Sequence, residues 1–83
     1  MNNSQIDDFV TDKKRKNKLV NVHFKTRPTI KGMFVFLNDY PEMKEKNFWR
    51  IVGEQKMEEW LEKKDHSSSR LFSGSEFTRL SDL

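Results

Sequence analysis

Five consecutive apolar residues, Met33-Phe34-Val35-Phe36-Leu37, follow Gly32 and run into the breaker Asn38-Asp39-Tyr40-Pro41. Successive side chains of a strand point to opposite faces, so this run is apolar on both. Val35 between two phenylalanines favours extended backbone, and a strand covered on both sides is central in its sheet. Residues 30–39 therefore predict a central strand around which the rest must be built. Gly32, just before the run, predicts a bulge, a sharp bend or a close backbone contact.

The flanking segments supply partners for it. From Lys18 to Lys25, Val20, Val22 and Phe24 alternate with Asn21, His23 and Lys25, the period of a half-buried strand. Thr26-Arg27-Pro28-Thr29 reads as a turn, with Pro28 holding Arg27 out of helical geometry. Residues 42–47 make a charged loop or a single turn. Phe48 to Val52 is a third strand, with Phe48, Arg50 and Val52 on one face and Trp49 and Ile51 on the other. Glu54 to Lys64 is rich in strong helix formers, and Met57, Trp60 and Leu61 form its apolar stripe. Residues 70–80 predict two short strands tightly connected at Ser73-Gly74-Ser75, with glycine in the strained position.

Ahead of all this, Ile6, Phe9 and Val10 have helical spacing. A short docked helix capped by Ser4, with Asp7 and Asp8 in its first turn, is one reading, and a frayed end is the other. The expected fold is mostly β with one helix, an α+β chain in the order β-β-β-α-β-β. Its short strands and one long two-faced strand predict a small, strongly bent antiparallel β-barrel or roll. Residues 1–17 form a polar and basic N-terminal arm, and residues 18–83 the single domain, with its helix at 54–64.

Leu19 to Val52 resembles the first three strands of Sm-like and SH3-like small barrels. Val20-Val22-Phe24 leads through a short turn to Gly32 and a long bent strand, and Asn38-Asp39 falls near that family's polar turn. The resemblance covers about half the chain, and RLFSGSEF would stand for the closing hairpin. It implies ring formation and binding of single-stranded RNA. The chain departs from the pattern in two places: its strongest helix follows the third strand rather than preceding the first, and Gly74 follows Ser73 rather than an arginine.

Charge is uneven. Residues 1–31 hold eight basic and three acidic side chains, and residues 32–83 hold eight and ten. Positive character is therefore local, which excludes a uniformly basic surface. Five of the six residues from 13 to 18 are cationic: Lys13, Lys14, Arg15, Lys16 and Lys18. Together with Lys25, Arg27 and Lys31 they are the candidate contacts for single-stranded RNA or DNA. The alternative role for the run is to keep a small protein soluble and shield an edge strand.

The chain has no cysteine, so disulfides and thiolate metal sites are excluded. His23 and His66 have no metal-ligand spacing, Asp65-His66-Ser67 lacks the convergence of a triad, and the three isolated glycines make no phosphate loop. No catalytic residue, metal or cofactor is expected, and neither a secretory signal nor a membrane span is read, which points to the cytoplasm. Phe36, Trp49 and Trp60 are the candidate protein-interface residues, because their elements carry apolar side chains beyond what one core needs. The expected function is a non-enzymatic binding or assembly module, self-associating or docking on a protein, with nucleic-acid binding as the alternative.

Overall fold

The computed structural model describes residues 1–83 apart from the side chain of His66. The elements are α1 (Asn3–Val10), β1 (Val20–Phe24), β2 (Ile30–Phe34), α2 (Tyr40–Glu45), β3 (Phe48–Gly53), α3 (Met57–Lys63), β4 (Ser69–Ser73) and β5 (Phe77–Asp82). Short 3-10 turns occupy Lys13–Arg15, Glu54–Lys56, His66–Ser68 and Gly74–Glu76. The chain is a small α+β fold with one five-stranded antiparallel sheet in the order β4-β3-β2-β1-β5.

The strand entering the two-faced run takes the central place expected of it, but it is shorter than expected and ends at Phe34, with Val35, Phe36 and Leu37 beyond it. Phe34 joins an inner core with Val20, Val22, Phe24, Trp49, Ile51, Phe72, Phe77 and Leu80, closed over by Ile6 and Val10 of α1. Met33 and Val35, its neighbours in sequence, point the other way and join Val52 and Trp60 of α3, with Leu19, Leu37 and Met57 packed against them. Each large apolar side chain so buried contributes about 1.5–3 kcal/mol. Helix α3 thus covers the outer face of β2 and the adjoining part of β3. Leu61, expected in its stripe, is exposed instead.

Gly32 is a close-contact glycine. A Cβ there would strike Cγ2 of Ile51, which fills the inner face opposite it. Gly74 is another, because its missing Cβ leaves room for the side chains of Asn47 and Ile6. The strained backbone expected at Gly74 is absent; positive φ falls on Asn17, Asn47 and Lys64. Asn47, at φ 62°, accepts from the Trp49 indole at 2.8 Å and its carbonyl accepts from the Gly74 amide at 2.8 Å.

Three expectations need correction. The strands flanking Gly74 do not form a hairpin: β5 pairs with β1 from Val20↔Asp82 to Phe24↔Phe77, with a bulge after His23. The reason is Phe77, whose ring packs edge-on against Phe24 at 5.4 Å and Phe34 at 6.3 Å. Secondly, there are three α-helices rather than one. Pro41 opens α2 in the first turn, where its missing N–H costs nothing, and the helix is tied down by Arg50–Asp39 at 2.6 Å and Lys44–Asp7 at 3.2 Å. Thirdly, α1 is capped by Asn2, not Ser4. Asn2 and Gln5 exchange side chain-to-backbone bonds of 2.9 and 3.1 Å in a capping box, which places Asp7 and Asp8 beyond the first turn.

Candidate functional site

Residues 13–18 fold back on the domain. Asp12 caps the 3-10 turn by accepting from the Lys14 amide at 2.9 Å. Arg15 is committed within it: Nε and Nη2 donate to Asp82 at 2.8 and 3.2 Å, Nη1 donates to Asp12 at 3.3 Å, and the guanidinium lies 3.8 Å from the Phe9 ring centroid. Its hydrogen bond to Asp82 raises the Arg15 pKa and lowers that of the carboxylate. Lys14, Arg15 and Lys18 line a groove of about 600 Å³ with Leu19, Met57 and Asp82. Lys13 and Lys16 are exposed to solvent.

The other three basic candidates do not extend this surface. Arg27 and Lys31 line a second groove, of about 450 Å³, whose wall includes Lys56, Ser68, Arg70 and Phe72. The two grooves share no lining residue. Lys25 is exposed and lines neither. The sheet register assembles the second groove: Arg70 lies opposite Ile51, and Gly53, where the 3-10 turn bearing Lys56 begins, lies opposite Gly32. Arg27 leans over the rings of Phe24 and Phe72, 5.2 and 5.5 Å from their centroids.

Sequence reasoning missed Lys56, Ser68 and Arg70. Each sits in a segment that reads as helix, loop or strand on its own, and only the pairing of β3 with β4 brings them to one place. Of the three aromatic candidates, Trp49 and Trp60 are core residues at 2% and 6% exposure, because the inner core and α3 respectively claim them. Phe36 keeps 45% exposure and packs edge-on against Tyr40 at 4.7 Å.

His23 is engaged on both ring nitrogens, with Thr29 at 3.0 Å on Nδ1 and Ser81 at 3.1 Å on Nε2. The side chain of His66 lies outside the described residues. Among those residues no group of three or more His, Asp or Glu is placed to hold a metal, and no helix is long and apolar enough to cross a membrane.

Two exposed apolar side chains adjoin the β4 edge. Phe48 pairs with Ser73 and Arg50 with Leu71, so Phe48 and Leu71 are diagonal neighbours on the outer face of the sheet. Their exposures are 37% and 47%. The outer-face core that α3 covers, built on Met33, Val35 and Val52, includes neither of them. Comparison with models of known protein families, with curated proteins and with solved structures gives no match for this chain.

Proposed function

We propose that this chain is a non-enzymatic assembly module that associates with a second copy of itself along β4. The observation that carries the reading is the uncovered pair Phe48 and Leu71 beside a strand edge that pairs with no strand. Such an edge offers a row of backbone donors and acceptors to an incoming strand, and the adjoining side chains supply apolar area. A second copy brings the same edge and the same patch, so an isologous contact satisfies both.

We read the sheet as a strongly bent, open roll of the Sm-like or SH3-like kind, with β4 and β5 left unpaired with each other. Support comes from its two edges: β4 and β5 stand at opposite ends of the hydrogen-bonded order yet are joined by only Gly74–Glu76. Phe24 of β1 also meets Phe72 of β4, with centroids 5.7 Å apart, across a strongly curled sheet. A helix precedes β1, as in that family. The nucleic-acid alternative draws less support, because five of its eight cations divide between two separate grooves, Lys13, Lys16 and Lys25 line neither, and Arg15 is already paired.

Light scattering after gel filtration, over a concentration series, tests the assembly. The wild-type chain is expected above its monomer mass of 10.0 kDa, and Leu71→Lys at that mass with an unchanged circular dichroism spectrum. A wild-type mass of 10.0 kDa at every concentration overturns the proposal.

A further inference from the structure

The second groove has a composition that the assembly reading does not use. Its ionisable lining is Arg27, Lys31, Lys56 and Arg70 against one carboxylate, Glu54, a local excess of three positive charges. Lys56 leans toward Glu59 at 3.7 Å. Arg27, Lys31 and Arg70 form no ion pair with any other described residue. Like charges gathered without counterions repel, so an anion seated among them is stabilised.

Ser68 supplies an independent pointer. It lines the same groove, is 4% exposed, and its hydroxyl has no hydrogen-bond partner among the described residues. The oxygen itself is closed off from the groove, so a rotation of the Ser68 side chain toward an acceptor oxygen seated there recovers about 1–3 kcal/mol, the cost of an unsatisfied buried hydroxyl. Ile30, Ile51 and Phe72 add an apolar part to the lining, and the volume of about 450 Å³ suits a small organic ligand.

We propose that this groove binds the phosphate of a small phosphate monoester, held by Arg27, Lys31, Arg70 and the Ser68 hydroxyl with the organic group against the apolar lining. Two arginines offer forked donors matched to phosphate oxygens. A monoester carries close to two negative charges near neutrality, which the local excess of three is enough to neutralise. A nucleic-acid strand is disfavoured because it requires a continuous positive track. Here the two basic grooves share no residue, and Asp82 lies in the wall of the other one.

Arg70 and Phe72 of the site belong to β4, so the titration is read on the full chain and repeated on Leu71→Lys, which separates the site from the assembly. Amide shifts in proton–nitrogen correlation spectra are followed during titration with inorganic phosphate, adenosine 5′-monophosphate and, as the uncharged control, adenosine. Saturable shifts at Gln55, Ser68 and Arg70 are expected with both phosphates and not with adenosine. Tighter binding of the ester supports the proposal in full, whereas equal affinities assign the site to free phosphate and overturn its ester part.

Arg70→Gln, a change at an exposed side chain, is expected to weaken binding by about tenfold, the worth of one charge-assisted hydrogen bond. Ser68→Ala is expected to weaken binding while leaving the melting temperature of the free protein level or higher. No saturation with either phosphate, or affinities unaltered in both variants, overturns the proposal. So does an oligothymidylate that binds more tightly than the monophosphate and loses affinity in Lys14→Gln but not in Arg70→Gln.

Discussion

Arg15 clasps Asp82 across 67 residues of sequence, with two parallel bonds of 2.8 and 3.2 Å from its guanidinium to the two carboxylate oxygens. The clasp fastens the end of β5 to the turn that precedes β1. Because the hydrogen bond from Arg15 lowers the Asp82 pKa, the folded state binds a proton there less readily than the unfolded chain. The stabilisation is therefore present above the ordinary carboxylate pKa of about 3.9 and is lost as pH falls below it. Thermal unfolding of wild type and Asp82→Asn, compared near neutrality and near pH 3, is expected to separate the two at the higher pH and to narrow that gap at the lower. A gap of constant size would show that the carboxylate charge is not what the clasp uses.

Gly32 and Gly53 face each other across β2 and β3, yet their surroundings differ. A methyl at Gly32 collides with Ile51, whereas a methyl at Gly53 meets nothing within 4 Å. Gly32→Ala is expected to cost about 1–3 kcal/mol by overpacking, and Gly53→Ala to stay within about 0.5 kcal/mol of wild type. Urea titration of both variants measures the difference.

Tyr40 is the chain's single tyrosine, and its hydroxyl donates to the Asp7 carboxylate. Burial, followed by that hydrogen bond, pushes the Tyr40 pKa well above its ordinary value. The phenol's spectroscopic ionisation is expected later than in a free tyrosine. With the folded pKa raised, stability is whole below about pH 10 and falls as pH climbs beyond it. Tyr40→Phe is expected to remove that alkaline dependence and cost about 1–2 kcal/mol near neutrality, read by chemical denaturation.

Trp60 is the largest side chain holding α3 to the sheet, buried with Met33, Val35 and Val52. Trp60→Ala leaves a cavity worth about 3–5 kcal/mol, comparable to the whole stability of a small domain. The expected result is loss of the cooperative transition, or of protection from hydrogen exchange in α3 first.

The central strand was legible because a run apolar on both faces has few other places to go. The β1 and β3 alternations were legible for the same local reason. What was hidden lies in contacts between distant segments. Gly74 between two short apolar stretches reads like a hairpin, and nothing nearby reveals that Phe77 prefers Phe24 and Phe34. Helix α2 is too short and polar to declare itself; Asp39 and Lys44 secure it through Arg50 and Asp7, each supplied by another element. Arg27 and Lys31 were visible as cations, but their partners Lys56, Ser68 and Arg70 become neighbours only after β3 and β4 register. Trp49 and Trp60 were read as surplus to one core, and the fold has two apolar clusters to absorb them.

The pairing of β5 with β1 sets the order in which the molecule can be completed. β1, β2, β3 and β4 each find a partner next along the chain, but β1 waits on its other side for residues 77–82. Until they arrive, Val20, Val22 and Phe24 lack Leu80 and Phe77, and Phe34 lacks the same phenylalanine. Closing a loop of that length is an entropic toll taken before its contacts are gained. During synthesis the inner core therefore stays open until β5 has emerged, and that strand commits the four before it.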